Sequence, residues 1–390
     1  MSPYKPSNIA NFIRQTRTRI ETVNTVTPRI FIAATEQDTG KTTTSLGLYA
    51  ALRERFPRIG YIKPVGQHFT EVDGRRIDED SILIKSVYET LVPIEDMSPI
   101  TIEPDFTRRY INEANHDTLV RRIQRSFDRA SWEKDFTIIE GSGHAGVGSV
   151  FDLSNATVAR ILSSKVLLVV PGGIGLPIDE GALNKALFER ECVEVVGVVM
   201  NKVLASKMEQ TTDFARRGFA RLGLELLGVM PVQKMLAEPS LLQIAETIRG
   251  TFHCNARFAR NQASNVVMGA VSSANISRKL ADGTLLIVPG DREDIVLAAI
   301  SEVSSQSPKK LCGLILSDDF KPHPSLLEML ERTRLPVVFS AMDSYTIAQR
   351  ILSLTIKIQP GDTHKIESVQ DLVARHIDIP RLLEKIGVSA

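Results

Sequence analysis

The chain has little that would tie it to a membrane, a nucleic acid or an oxidising compartment. Only three of its 390 residues are cysteine, and Cys192, Cys254 and Cys312 lie far apart without metal-ligand spacing. They read as reduced core thiols of a cytoplasmic protein. No run of about 18 or more apolar residues occurs, so no membrane-spanning helix is expected. The 47 Lys and Arg nearly cancel the 46 Asp and Glu, leaving a net charge of +1. There is no overall basic bias toward nucleic acid and no acidic tail. A small-molecule substrate or effector is the expected partner.

What is present is an ordinary globular composition, 43% hydrophobic and 24% charged, over a length that suggests two or three domains. The informative stretch runs from Arg29 to Ala50. Ile30, Phe31, Ile32, Ala33 and Ala34 suit a buried parallel strand. Asp38-Thr39-Gly40 is a turn, and Lys41-Thr42-Thr43-Thr44 opens a helix with Leu46, Leu48, Tyr49 and Leu52 as apolar positions. Unpaired backbone N–H groups and the dipole at a helix N-terminus favour an anion. Gly40 lets a phosphate approach the backbone. Lys41 is placed to reach the β- and γ-phosphates, and the Thr42 hydroxyl to hold Mg²⁺. The segment departs from G-x-x-x-x-G-K-[ST] at its first glycine, where Thr35 stands.

The chain then alternates. Arg58–Ile62 is a strand ending in Lys63-Pro64-Val65. Lys63 is a site lysine at the carboxyl end of a parallel strand, or a surface lysine; spacing leaves both open. Asp78-Glu79-Asp80 starts a helical pattern, and these acids either cap it or face a metal. Residues 91–115 show few helix signals and read as irregular, and 116–131 read as a helix. Phe136–Glu140 ends a strand in an acid, the Walker B pattern that puts a carboxylate on the Mg²⁺ shell. The loop 141–149 holds four glycines and His144, which is a ligand contact or a surface histidine. Strands at 166–170, 195–200 and 226–230 follow, separated by helical patterns at 154–164, 177–190 and 206–222. This order predicts a parallel sheet covered by helices on both faces. Residues 1–27 read as an extension with a short amphipathic helix (Ile9, Phe12, Ile13, Ile20) or, less simply, a transit peptide.

Thr35-Glu36-Gln37-Asp38-Thr39-Gly40-Lys41-Thr42, then Tyr61-Ile62-Lys63-Pro64-Val65, Ile139-Glu140-Gly141-Ser142-Gly143, Met200-Asn201-Lys202-Val203 and Gly228-Val229-Met230-Pro231 occur in the order seen in dethiobiotin synthetase. Residues 28–235 resemble that family, an ATP-dependent ligase that closes a cyclic urea from a diamine and CO₂. The resemblance implies that ATP lies on Thr35 to Thr43, with Lys41 on its phosphates. It implies Mg²⁺ on Thr42, Asp80 and Glu140, and Lys63 on the carbamate or acyl-phosphate side as the second catalytic lysine. It puts adenine against Asn201 and the segment after Pro231, and it implies a homodimer. Gln37, Gln67 and Ser142-Gly143-His144 depart from the family's substrate side. Asp152-Leu153-Ser154-Asn155-Ala156 resembles instead the N-terminal, non-catalytic region of long bacterial phosphotransacetylases.

The second half alternates again, with strands at 265–270, 285–288, 311–316 and 337–339 and helical stretches at 273–280, 325–333 and 344–353. Val266–Ala270, Gly283–Ile287 and Pro289–Ile295 resemble the DRTGG domain, a small α/β module of those phosphotransacetylases and of some regulatory proteins. Gly290-Asp291-Arg292 reads equally as an anion site or as a cap with a locally paired arginine. The expected organisation is therefore an extension at 1–27, a P-loop domain at 28–245, a DRTGG-type domain at 246–355 and a helical tail at 356–390. Acetyl transfer to phosphate is not expected of it. Two functions stand: an ATP- and Mg²⁺-dependent ligase activating a carboxylate or carbamate, and a nucleotide-sensing regulatory protein. A partition-type ATPase is disfavoured, because Glu36 and Gln37 fill the part of the loop where that group carries an extra lysine.

Overall fold

The structure, a computed structural model, describes residues 23–305 and 308–388. The helix expected from Ile9, Phe12, Ile13 and Ile20 lies outside these residues. The chain forms two compact units, Met1–Val232 with Ile366–Ala390, and Gln233–Lys365. The division precedes the expected boundary at 245/246, because Leu241, Ile244, Ala245 and Ile248 belong to the core of the second unit with Leu285 and Ile287. The tail expected to begin at 356 does not stand alone. From Ile366 it belongs to the first unit.

In the first unit, β1 (Arg29–Ala34), β2 (Ile59–Ile62), β7 (Phe136–Glu140), β8 (Val166–Pro171), β9 (Val195–Val203) and β10 (Leu226–Pro231) form one sheet in the order β10-β9-β8-β1-β7-β2. Every pairing in it is parallel. β1, β2 and β7 are buried at every position, as continuous apolar runs covered on both faces require. β1 sits between β7 and β8, with Ile32 level with Glu140 and Ala34 with Val169. Chain order reverses direction across the sheet at β1, and crevices at such points are where α/β sheets bind ligands.

Shorter strands lie beside this sheet: β3 (Val65–Gly66) pairs with β6 (Ile100–Thr101), and β4 (Phe69–Val72) with β5 (Arg75–Asp78) in a hairpin. The hairpin lies in a stretch with no strand signal in the sequence. Helix α1 spans Lys41–Arg53 and α2 spans Glu79–Tyr88. The stretch expected to be irregular, 91–115, contains short helices at Ile94–Met97 and Phe106–Asn112 as well as β6.

The tail meets the first unit on α1, α2 and β10. Against α1, a Cβ on Gly47 would lie 2.3 Å from the Val373 side chain and 2.9 Å from the Val369 carbonyl oxygen. Gln370 Nε2 donates to the Tyr88 hydroxyl at 3.1 Å, and Tyr88 stacks on Tyr49 of α1 at 4.0 Å. Against β10, the Asp378 N–H donates to the Leu227 carbonyl at 2.8 Å. Arg381 grips Glu225 with Nε at 2.9 Å and a second guanidinium nitrogen at 3.0 Å, and Lys385 reaches the same carboxylate at 2.8 Å.

The second unit is a sheet in the order β11-β15-β14-β13-β12. Its strands are β11 (Thr251–Cys254), β12 (Asn265–Met268), β13 (Thr284–Pro289), β14 (Gly313–Ser317) and β15 (Val337–Phe339). The last four are parallel, and β11 closes one edge antiparallel to β15. Helices Glu293–Val303 and Pro324–Glu331 share a core with Leu286, Leu314 and Val337. Helix Ser344–Leu352 packs with Leu285, Ile287 and Ile315 in a second core cluster. Arg292 is locally paired. It reaches Asp294 at 2.9 Å and donates to the carbonyls of Gly269 and Val271.

Candidate functional site

The candidate site lies at the carboxyl edge of the first sheet. The Thr35 N–H donates to the Val169 carbonyl at 3.0 Å and the Ala34 N–H to the Gly143 carbonyl at 3.2 Å, so the loop leaves β1 anchored on both sides. Thr35 is buried and its hydroxyl has no partner. Glu36, Gln37 and Asp38 are exposed, with the Gln37 amide 3.3 Å from that of Gln67. The Thr39 hydroxyl donates to the Glu36 carbonyl at 3.0 Å. Asp38 (φ 55°) and Gly40 (φ 108°) take the left-handed backbone that closes the turn.

Asn201, at the end of β9, sets the back of this loop. Its Nδ2 donates to the Thr39 carbonyl at 2.8 Å, and its Oδ1 accepts the Lys202 N–H at 2.8 Å. A Cβ on Gly40 would fall 2.1 Å from Asn201 Nδ2. Only glycine fits both this contact and the φ value. Thr43 is half-buried beside Gly40, and the Thr44 hydroxyl returns to the Gly40 carbonyl at 2.9 Å. Pro231 ends β10 at the same edge of the sheet.

Lys41 opens α1 and is 9% exposed. Burial lowers its ammonium from the usual lysine range, and Glu140 only partly offsets this. Glu140 is completely buried at the end of β7. Its Oε1 accepts from the Thr42 hydroxyl at 2.8 Å and its Oε2 from the Tyr61 hydroxyl at 2.9 Å. Burial, then Asp80, raises the Glu140 carboxyl, against the pull of Lys63.

Lys63 is the hub. Its ammonium contacts Asp80 Oδ2 and lies 3.2 Å from Asp78 Oδ1 and 3.7 Å from Glu140 Oε1. Burial alone would lower it, but Asp80, Asp78 and Glu140 outweigh burial and hold it well above the ordinary lysine range. Asp78 is the N-cap of α2. Its Oδ1 accepts the Asp80 N–H at 3.0 Å, and its own N–H donates to the Ser98 hydroxyl at 2.9 Å. Burial raises the Asp78 carboxyl, with Lys63 opposing.

The structure therefore brings Lys41, Thr42, Lys63, Asp80 and Glu140 together, with Tyr61 and Asp78 added. Of the Asp78-Glu79-Asp80 run, Asp78 caps the helix and Asp80 lies against Lys63. The signal for Asp78 was its place before a helix; Tyr61 opens the segment Tyr61–Val65, but the sequence assigns it no role at the site. The His144 ring is exposed, and its Nδ1 accepts the Gly146 N–H at 3.2 Å. Asn155 shapes the glycine loop, accepting from the Ser142 N–H at 3.1 Å and donating to the His144 carbonyl at 2.7 Å. Among the described residues, no group of three or more His, Cys, Asp or Glu is disposed to hold a metal by itself. No described helix is long and apolar enough to cross a membrane.

A cavity of about 1170 Å³ opens elsewhere in the first unit, between the β4–β5 hairpin and Phe106–Asn112. None of the sequence-predicted residues lines it. Of the arginines that line it, Arg75 pairs with Glu95 at 2.8 Å, and Arg76 and Arg109 both reach Glu103.

Comparison with known families matches an AAA domain at residues 28–240 and a DRTGG domain at residues 243–354. Curated relatives include the phosphate acetyltransferase of Pseudomonas aeruginosa, 29% identical over 376 residues, and that of Pseudomonas putida, 29% identical over 372. Each alignment covers 92% of this chain and 52% of the relative. The chain thus spans about half the length of the curated relatives it matches. Among solved structures, the cell-division protein MinD of Aquifex aeolicus overlaps 54% of this chain and 84% of its own at 14% identity, with a TM-score of 0.31. The CBS and DRTGG regulatory region of Clostridium perfringens pyrophosphatase, complexed with the activator diadenosine tetraphosphate, overlaps 35% of this chain and 50% of its own at 21% identity, with a TM-score of 0.25.

Proposed function

Since the chain belongs to the AAA-domain family over residues 28–240 and carries a DRTGG domain after it, we propose that the first unit binds ATP with Mg²⁺ and that its occupancy is what the protein reports. The observation that carries this reading is the convergence of Lys41, Thr42 and Glu140 at the end of β1, with the Thr42 hydroxyl 2.8 Å from Glu140. Thr35, Glu36, Gln37, Asp38, Thr39, Gly40 and Thr43 form the phosphate loop around Lys41, and Asn201 holds that loop from behind. Pro231 starts the segment on the base side.

Mg²⁺ prefers oxygen ligands and takes only one or two carboxylates beside water and phosphate. The hydroxyl of Thr42 and the carboxylates of Glu140 and Asp80 fit that demand. Bound there, the ion would neutralise charge on the β- and γ-phosphates. Lys41 meets the same phosphates, and its depressed basicity is relieved when they arrive. The Tyr61 and Thr42 hydroxyls donate to the Glu140 carboxylate and orient it.

A ligase-type reaction, in which ATP activates a carboxylate or carbamate for an amine, is the second reading. It is favoured by Lys63, a buried ammonium beside the loop and close to Glu140. A small-molecule effector on the second unit, a cytoplasmic setting and a homodimer complete the proposal.

Calorimetry of ATP with Mg²⁺, wild type against Lys41→Ala, tests the first reading, with phosphate release followed with and without amines and bicarbonate. Binding that needs Lys41 without turnover supports the sensor. Release stimulated by an amine or carboxylate supports the ligase. Absence of binding refutes both.

A further inference from the structure

Asp78 has no part in the functions assigned above, yet it is among the most tightly fixed groups at the site. It is 1% exposed, and its Oδ2 has no hydrogen-bond partner. That oxygen lies against the Gly66 backbone, where a Cβ would come within 2.5 Å of it. Its Oδ1 is held by the Asp80 N–H and stands 3.2 Å from the Lys63 ammonium. A neutral N-cap such as Ser or Asn would cap α2 as well. A buried carboxylate without a full set of partners is costly, so its charge requires a use beyond the cap.

The charges at the site point to that use. Lys63 touches Asp80, one of the carboxylates assigned to the cation. An ammonium and a divalent cation repel each other and compete for the same oxygens, so Lys63 must release Asp80 when the cation binds. It is then a buried cation that needs another anion. Asp78 is already paired with it, Oδ1 standing 3.2 Å from Nζ, and the Asp80 N–H and the Gly66 backbone fix that carboxylate in place.

We propose that Asp78 is the positioning residue that receives Lys63 when a divalent cation takes Asp80, so that the lysine stays charged and inside the site. This rests on the nucleotide and Mg²⁺ reading above. Asp78 does not ligate the cation. It lowers the cost of parting Lys63 from Asp80, and so makes cation binding compatible with a lysine in the same cage.

Mn²⁺ serves as the probe, its binding followed by electron paramagnetic resonance with a non-hydrolysable ATP analogue present. Five proteins are compared: wild type, Asp78→Asn, Asp78→Ser, Lys63→Met and the Asp78→Asn/Lys63→Met double variant. Asp78→Asn keeps the cap, and Asp78→Ser repeats the test with a second capping residue. The expected result is that Asp78→Asn weakens Mn²⁺ about tenfold, that Lys63→Met tightens it, and that Asp78→Asn costs less than about threefold once Lys63 is gone. An equal loss in both backgrounds would make Asp78 a ligand or a simple field charge and overturn the inference alone. So would an unchanged affinity in Asp78→Asn. No Mn²⁺ binding by the wild type overturns the nucleotide and metal reading itself, and this inference with it.

Discussion

Asn201 donates its side-chain amide to the Thr39 carbonyl at 2.8 Å, across 162 positions of sequence. The end of β9 thereby sets the conformation of a loop that begins at β1. Because the bond is buried, replacing Asn201 by Ala leaves the Thr39 carbonyl unpaired, at about 1–3 kcal/mol. Urea unfolding measures that loss. Calorimetry should show weaker ATP binding in the same variant, since the loop amides are no longer held in one arrangement.

Gly40→Ala should be more damaging. The new methyl meets the Asn201 amide at 2.1 Å and sits on a residue with φ of 108°. Strain at such a backbone position costs on the order of 1–3 kcal/mol before the collision is counted. Adding Asn201→Ala should relieve the collision but not the backbone strain, so the double variant recovers stability only in part. Full recovery would mean that the φ value is not constraining.

Tyr61→Phe removes one of the two hydroxyls that hold Glu140. The hydroxyl is buried and 2.9 Å from Oε2. A buried acceptor loses a donor, at about 1–3 kcal/mol. The Phe variant should unfold at lower urea with an unchanged slope, because packing is otherwise kept.

Gly47→Ala would ordinarily strengthen a helix by about 1 kcal/mol. Here the methyl would lie 2.3 Å from Val373 and 2.9 Å from the Val369 carbonyl. Overpacking of this kind costs about 1–3 kcal/mol, so the expected sign is destabilising. Val373→Ala should restore part of the loss, because only one of the two clashes is with a side chain. Limited proteolysis should find the tail of the single variant more readily cut.

Glu225 is pulled down to about 2 by Arg381 first and Lys385 next. Its folded value is below its unfolded one, so the stability it brings is complete above about 4.5 and lost as pH falls toward 2. Melting of the wild type and of Glu225→Gln should differ at pH 6, and the gap should close across that window. The pairs are partly exposed, so the gap should be small and should shrink with salt.

The strands of the first sheet were legible because each is a continuous apolar run bounded by turn residues, and so was the start of α1 at Lys41. The loop could be read from the order of Gly40, Lys41 and Thr42. What could not be read was who pairs with whom. Lys63 and Asp80 are seventeen positions apart and were assigned separate tasks, one to the acyl side and one to the metal, yet they are in contact. The hairpin Phe69–Asp78 escaped because its faces are mostly exposed and carry no apolar alternation. β11 escaped likewise, as a short, half-buried edge strand. The return of the tail could not be foreseen, because Gly47 and Val373 carry no pattern linking them.

That return also sets when the first unit can be finished. Its sheet is complete at Pro231, but the covering of α1 by Val369 and Val373 and the grip on Glu225 wait for residues made more than a hundred positions later. At roughly 5–20 residues per second of synthesis, the interval is on the order of ten seconds. During that time the second unit emerges and can close on its own core. A newborn chain therefore holds its α1 surface and the edge of β10 uncovered while the ribosome is still at work, and these are the places where a chaperone would find it.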